Sequence, residues 1–127
     1  NINVTAAGTY NINGVKSINA TYPLHVSTTA EVTLNITNST LQGWTSYNSG
    51  STVNFTKVEF TSTPAYGRLR PYGTTVCENC NFAEGFIIDL KYLADGETIT
   101  FKNCKVNGVA LTAANLTDAD ASKVTIQ

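Results

Sequence analysis

Three cysteines are the residues of this sequence best suited to bind a metal or to form a redox pair. Cys77 and Cys80 form a C-x-x-C arrangement, and Cys104 and His25 are the further ligands available. A structural zinc site needs four donors in a tetrahedron, and a reactive thiol needs a helix N-terminus or a cation to lower its pKa. The repeat described below separates these residues, so we predict structural cysteines and neither a metal nor another cofactor.

Carboxylates are numerous but show no catalytic arrangement. A glycosidase needs two of them facing one sugar at a set separation, and the single histidine, His25, has no sequence context that suggests a triad. These observations favour a chain that is not an enzyme, although a pair such as Glu84 and Asp89 leaves hydrolysis open. The scattered carboxylates are Glu59, Glu78, Glu84, Asp89, Asp95 and Glu97.

A six-residue phrase recurs along the chain and indicates how these side chains are positioned. It is clearest at residues 77–82 (CENCNF) and 101–106 (FKNCKV), and related phrases begin at residues 36 and 55 and, more weakly, at residue 15. A spacing of roughly 20 residues is typical of stacked repeats. A straight strand cannot direct its first and fourth side chains to the same side, so the phrase predicts a corner. Asn38, Asn79 and Asn103 stand at that corner, where asparagine tolerates a left-handed backbone.

Parallel stacking of these units predicts a solenoid with three inward columns of side chains. Cys80 should lie beside Cys104, and Asn79 over Asn103, as structural ladders. A hydroxyl replacing the Cys104 thiol is expected to be buried without a partner. The end of the chain, residues 123–127, resembles the approach to a sixth unit. The columns are Val15, Ile36, Phe55, Cys77 and Phe101; Ile18, Ser39, Val58, Cys80 and Cys104; and Ala20, Leu41, Phe60, Phe82 and Val106.

The F-x-N-C-x-F phrase with irregular loops resembles the right-handed parallel β-helix proteins of pectate-lyase-like architecture, over roughly residues 10–111. The resemblance implies an all-β fold, a short right-handed parallel β-helix of about five rungs, with inward asparagine and cysteine ladders. Such proteins include polysaccharide lyases and hydrolases, bacterial surface adhesins and phage tail proteins. A β-sandwich of about seven strands is the alternative fold; it accounts for the strands but not for the repeat.

The loops after each phrase should lie side by side on one flank, because stacked units place equivalent positions about 4.8 Å apart. Aromatic rings with a few charged groups suit a sugar face or a peptide surface, whereas packing of the loops against the solenoid is the other interpretation. The candidate ligand-binding residues are Trp44, Tyr47, Tyr66, Arg68, Arg70, Tyr72 and Asp89.

Composition limits the location and the partners. Only 13% of the residues are charged and the formal net charge is -1, which suits a β-rich protein outside the cytoplasm. No basic patch indicates nucleic acid, and no apolar run approaches the ~20 residues that a transmembrane segment needs. The chain begins without a signal peptide and stops within a repeat. We therefore expect one β-solenoid domain over residues 1–127, as a fragment of a longer protein.

These features predict a secreted or cell-surface binding or structural module, such as an adhesin or a carbohydrate-contacting segment, of bacterial origin by the resemblance. Its expected partners are a glycan or a host surface protein, and unpaired strand edges favour end-to-end self-association. The alternative is a polysaccharide lyase or glycoside hydrolase of parallel β-helix type, or a fragment of one. A lyase of this kind is expected to cluster carboxylates beside a basic residue; Arg68 and Arg70 supply only the basic part.

Overall fold

Short strands follow one another around a parallel β-solenoid in the computed structural model, which describes residues 1–19 and 21–127. Two 3-10 helices, Ala113–Asn115 and Ala121–Lys123, are the helical segments of this part of the chain. In chain order the strands are β1 (Ile2–Val4), β2 (Gly8–Asn13), β3 (Lys16–Ser17), β4 (Leu24–Val26), β5 (Val32–Thr37), β6 (Thr40–Gln42), β7 (Trp44–Ser46), β8 (Ser51–Thr56), β9 (Glu59–Thr61), β10 (Arg68–Arg70), β11 (Thr74–Glu78), β12 (Asn81–Phe82), β13 (Ile87–Asp89), β14 (Thr98–Lys102), β15 (Lys105–Val106), β16 (Val109–Ala110), β17 (Leu116–Thr117) and β18 (Val124–Ile126).

The strands form three sheets that the chain visits in rotation. Sheet I has the order β1-β4-β7-β10-β13-β17, sheet II the order β2-β5-β8-β11-β14-β18, and sheet III the order β3-β6-β9-β12-β15-β16. Neighbouring strands are parallel, except that β16 turns back antiparallel on β15. The result is an all-β solenoid of about five turns. The sandwich alternative is wrong, because its sheets would be antiparallel.

A left-handed residue marks the corner between sheet II and sheet III in successive turns. Asn38, Asn79 and Asn103 have φ angles of 50°, 54° and 50°, as their position in the phrase predicts. Lys57 (φ 54°) and Gly14 (φ 72°) take the same place in two other turns. Most residues with a Cβ are strained there, whereas glycine has no Cβ and asparagine can bond its own backbone, which explains why glycine and asparagine predominate. The corner lets the first and fourth positions of each phrase face the same interior.

The predicted first column is confirmed from the second turn onward. Ile36 pairs with Phe55, Phe55 with Cys77, and Cys77 with Phe101. Ile126 continues this column beyond Phe101, so the final residues do enter a sixth turn.

The first turn is offset from the predicted alignment by three residues. Ile12, rather than Val15, pairs with Ile36. The reason is Gly14, which supplies the left-handed corner earlier than the phrase beginning at residue 15 would place it. Ile18, predicted to face inward, is consequently exposed.

The third column forms the aromatic centre of the core. Leu41 pairs with Phe60, and Phe60 with Phe82. The rings of Phe60 and Phe82 are stacked, with centroids 4.7 Å apart. Ser17 begins the column against Leu41; Ala20, predicted for that place, lies outside the described residues.

Cys80 and Cys104 are buried free thiols in the second column. Contact with the Cys80 thiol, together with burial, raises the pKa of Cys104 well above its ordinary value, which suits an unreactive structural role. The Cys104 Sγ lies 3.2 Å from the Cys77 carbonyl oxygen. In another turn of this column, the buried Ser39 donates to the Thr37 carbonyl at 2.8 Å. That a serine in place of Cys104 would lack such a partner stays a prediction.

The asparagine ladders lie outside the solenoid, and the inward placement that the resemblance implied is wrong. Asn103 Nδ2 donates to Asn79 Oδ1 at 2.6 Å, and both side chains are exposed. A second outward ladder joins Asn11, Asn35 and Asn54 through hydrogen bonds of 2.9 Å. These amides link successive turns from the surface and so fix their register.

Candidate functional site

The outer face of sheet I collects most of the side chains predicted to bind a ligand. Alternation along β10 directs Arg68 and Arg70 outward and leaves Leu69 fully buried between them, as predicted. The register places Arg68 directly beside Trp44 of β7, and β13, which carries Asp89, lies on the other side of β10.

Asp89 lies beside Arg70 on the neighbouring strand and fixes the positions of both arginines. Its side chain is buried; Oδ2 accepts from Arg68 Nη1 at 2.6 Å and from Arg70 Nε at 3.3 Å. Its Oδ1 accepts from the Lys91 backbone N–H at 3.2 Å. Burial raises the pKa of Asp89, but the Lys91 and Arg68 hydrogen bonds and the charges of both arginines outweigh burial, so the pKa lies below its ordinary value. Asp89 therefore positions the arginines and is not placed to contact a ligand itself.

Arg70 is held between two aromatic rings. Its guanidinium carbon lies 4.8 Å from the centroid of the Trp44 ring and 4.3 Å from that of the Tyr92 ring. The guanidinium carbon of Arg68 lies 5.4 Å from the Trp44 ring. Such contacts contribute ~0.5–1 kcal/mol at exposed sites and about 2 kcal/mol when desolvated. The arginine side chains remain 29% (Arg68) and 23% (Arg70) exposed, so they are accessible from solvent.

Two further tyrosines extend this surface in both directions. The Tyr22 ring, which is largely exposed, lies 6.0 Å from the Trp44 ring and 6.3 Å from the His25 ring. The Tyr72 ring lies 6.3 Å from the Tyr92 ring. We call the following residues the aromatic–arginine face: Tyr22, Trp44, Arg68, Arg70, Tyr72 and Tyr92.

A groove of about 470 Å³ lies beside Tyr22, Trp44, Arg70 and Tyr72 of the aromatic–arginine face. Ligand sites are typically concave and mostly apolar, with a few polar groups that fix orientation, and this groove has that composition. The side chains that line the groove come from three successive turns of the solenoid and include Tyr22, His25, Trp44, Arg70 and Tyr72.

Two predicted site residues do not join the aromatic–arginine face. Tyr47 borders the groove but is buried, because it lies two residues beyond the inward Thr45. Its hydroxyl bonds Thr75, and burial raises its pKa. Tyr66 is exposed, but its loop bends back on itself, with the backbone N–H of Tyr66 donating to Thr63. No ring contact joins Tyr66 to the face in the part of the chain that the structure describes.

The residues predicted to bind a ligand did not include Tyr22 and Tyr92, although both lie in the aligned loops of the predicted flank. Tyr22 lies two residues before β4, and Tyr92 lies three residues after the end of β13. Their place in the aligned loops was the available signal. It did not single them out, because the path of a loop decides whether a ring folds over a neighbouring turn.

The cysteines do not form a metal site. Within residues 1–19 and 21–127, no three His, Cys, Asp or Glu side chains are close enough together to hold an ion. Cys77 and Cys80 instead point into different columns of the core. Over the same residues, no helix has the length and apolar character needed to cross a bilayer.

Comparison with known proteins yielded no matching family model, no matching curated protein and no matching solved structure.

Proposed function

We propose that this chain is a carbohydrate-binding module and that its aromatic–arginine face holds the glycan. The observation that carries the proposal is the continuous contact of aromatic rings and guanidinium groups from separate turns beside one open groove. A sugar ring has an apolar face that packs against aromatic rings, and its hydroxyl groups need nearby hydrogen-bonding partners. The face offers both.

The state of Asp89 supports binding rather than hydrolysis. A general acid needs a raised pKa and access to the glycosidic oxygen. Asp89 is buried, its pKa is lowered, and both arginines engage it.

The proposed setting is a secreted or surface-exposed protein, in which the chain acts as an adhesin-like segment. The low share of charged residues supports this setting. The parallel solenoid agrees with the architecture of the pectate-lyase-like proteins that the F-x-N-C-x-F phrase resembles, and membership among their bacterial surface forms is part of the proposal. The partner that we propose for such a segment is a host surface protein that carries glycans.

We also propose that copies of the chain associate end to end. Strands β2 and β18 are the two edges of sheet II. If the register of the sheet continued into a second copy, Tyr10 would lie on Val124 and Ile12 on Ile126, apolar on apolar. An apolar groove of about 480 Å³, which includes Leu116, opens at the β18 end.

A glycan-array screen followed by calorimetric titration of two variants tests the binding proposal. We expect Trp44→Ala to weaken binding of the selected glycan about tenfold or more, because aromatic anchors dominate binding energy. The matched control is Tyr66→Ala, which removes an exposed ring outside the face and should leave affinity unchanged.

Lost stability with unchanged affinity in Trp44→Ala would show that the ring serves only to pack a loop. Cleavage of a polysaccharide by the purified chain would support the lyase or hydrolase alternative instead.

A further inference from the structure

The aromatic–arginine face carries more positive than negative charge. Arg68 and Arg70 share a single carboxylate, and both bond the same oxygen, Asp89 Oδ2. Among the described residues, no other carboxylate pairs with either arginine. Lys91 adds a further cation, with its Nζ 5.8 Å from the Tyr92 ring. The excess is local, because the whole chain has a formal net charge of -1.

Several guanidinium N–H groups remain available on this face. A guanidinium carries five N–H donors in a planar fork. Arg68 uses Nη1 for Asp89, which leaves its Nε and Nη2, and Arg70 uses Nε and Nη2, which leaves its Nη1. These remaining groups have no acceptor among the described residues, and their side chains are partly open to solvent.

The available donors are held in place before any ligand arrives. Asp89 fixes both arginines from the neighbouring strand, and the Trp44 and Tyr92 rings enclose the guanidinium of Arg70. A preorganised side chain loses little conformational entropy on binding. A fixed guanidinium fork matches the geometry of two oxygens on one carboxylate or sulfate group.

The aromatic rings near the arginines indicate the size and shape of the rest of the ligand. Tyr22, Trp44 and Tyr72 come from three successive turns, which are spaced about 4.8 Å apart along the solenoid axis. A small inorganic anion would leave these rings without contact. A chain of sugar units lying along the axis would cover them while its acidic group met the arginines.

We infer that the ligand is an anionic glycan, bearing carboxylate or sulfate groups, that lies along the solenoid axis and pairs its anionic group with the free N–H groups of Arg68 and Arg70. This inference rests on the proposed carbohydrate-binding function. It adds the charge of the glycan, its direction on the molecule and the side chains that recognise it.

Matched oligosaccharides in calorimetric titration test the inference. The first pair is a uronic-acid hexasaccharide and the same compound with its carboxyl groups reduced to alcohols. The second pair is a sulfated hexasaccharide and its desulfated form. We expect the acidic member of at least one pair to bind about tenfold or more tightly than its neutral counterpart. The pair that shows the difference identifies the anionic group.

Variants assign the effect to the arginines. Arg68→Gln should remove most of the preference for the acidic member, while Arg68→Lys should retain part of it. The control Lys105→Gln removes an exposed cation from sheet III and should leave the preference unchanged. If Arg68→Gln lowers the melting temperature, both variants are titrated at a temperature where both are folded. Partial retention of the preference in Arg68→Lys then assigns the preference to the positive charge at residue 68. The preference should also weaken between 0.05 and 0.3 M salt, which screens charge.

The outcomes separate the two proposals. Equal binding of the acidic and neutral members, with loss in Trp44→Ala, would overturn the anionic inference and keep the carbohydrate-binding function. Binding of inorganic sulfate as tight as that of the sulfated glycan would also overturn the inference. If no glycan on the array or in either pair binds, the proposed function itself is wrong.

Discussion

Asp89 is the residue on which the geometry of the aromatic–arginine face depends. One buried carboxylate satisfies two guanidinium groups and one backbone N–H. Breaking such a pair by removing one partner costs more than the pair contributes, because the remaining charges are left uncompensated.

We expect Asp89→Asn to lower the free energy of unfolding by about 1–3 kcal/mol at neutral pH. Because the pKa of Asp89 is lowered in the folded state, its contribution is fully present above the unfolded value, which is about 3.9. The contribution is lost as the pH falls through the folded value. Urea unfolding from pH 8 to pH 3 should show a constant difference between wild type and variant above about pH 5, which shrinks at the acidic end.

Asp95→Asn is the matched control, because this exposed carboxylate forms only a surface ion pair with Lys123 at 3.7 Å. It should leave the urea midpoint unchanged. A stability of Asp89→Asn equal to that of wild type at pH 7 would contradict the role assigned to the buried carboxylate.

The sequence predicted correctly which side chains of a strand point outward, because this follows from alternation. It predicted wrongly which side chains near a strand end are exposed to solvent. Two outward arginines around an inward Leu69 follow from strand geometry alone. Whether an aromatic or acidic side chain near a strand end is covered depends on neighbouring turns. Tyr47 and Asp89 were therefore assigned to the ligand but are buried.

At the scale of elements, Lys57 differs from the other corner residues that the structure describes between sheets II and III, which are glycine or asparagine. Its φ of 54° lies in the left-handed region, which costs a lysine roughly 1 kcal/mol, whereas asparagine offsets part of that cost by bonding its own backbone. We expect Lys57→Asn to raise the free energy of unfolding by about 0.5–1 kcal/mol, measured by urea or thermal unfolding.

Lys105→Asn removes the same charge from an exposed strand position and should not stabilise the protein. If both variants gain stability equally, charge rather than backbone conformation is responsible. A destabilised Lys57→Asn would refute the strain argument.

Element boundaries were predictable where the corner residue was asparagine within the phrase. In the first turn the corner is Gly14, and a faint copy of the phrase at residue 15 drew the alignment three residues too far along the chain. Glycine is common in loops for many reasons, so Gly14 alone did not identify a corner before the pairing of Ile12 with Ile36 was seen.

At the scale of the whole molecule, the open strand edges of sheet II are where we propose that copies associate. We expect light scattering and sedimentation to show a mass that rises with protein concentration. Ile126→Lys should suppress this rise, because it places a charge at the β18 edge that a second copy would cover. Tyr66→Lys is the control, since this exposed side chain lies in the loop between β9 and β10 of a middle turn, away from both strand edges. A monomeric wild type at millimolar concentration, or equal effects of the two variants, would contradict end-to-end association.

The architecture was predictable because a solenoid repeats its constraints in every turn. Equivalent positions in successive turns fill the same column of the core, as Phe55, Cys77 and Phe101 do. Each copy of the phrase is a weak indication of a strand and corner by itself, but several copies at a similar spacing indicate the fold strongly. The face was only partly predictable, because each of its residues occurs once. Tyr22 and Tyr92 come close to Trp44 and Arg70 because of the paths of irregular loops. These loops do not repeat in sequence, so no pattern predicts their paths.

Stacking in register also gives the molecule a mechanical character. Strands β2 and β18 mark opposite ends of the stack, and each turn is bonded only to the turns beside it. Tension between the two ends would therefore unpeel the outermost turns one at a time, each releasing on the order of 70 Å of chain. Trp44, Arg68 and Asp89 belong to middle turns, so the outer turns would yield first. The molecule would therefore lengthen under tension while the aromatic–arginine face in the middle turns stayed folded.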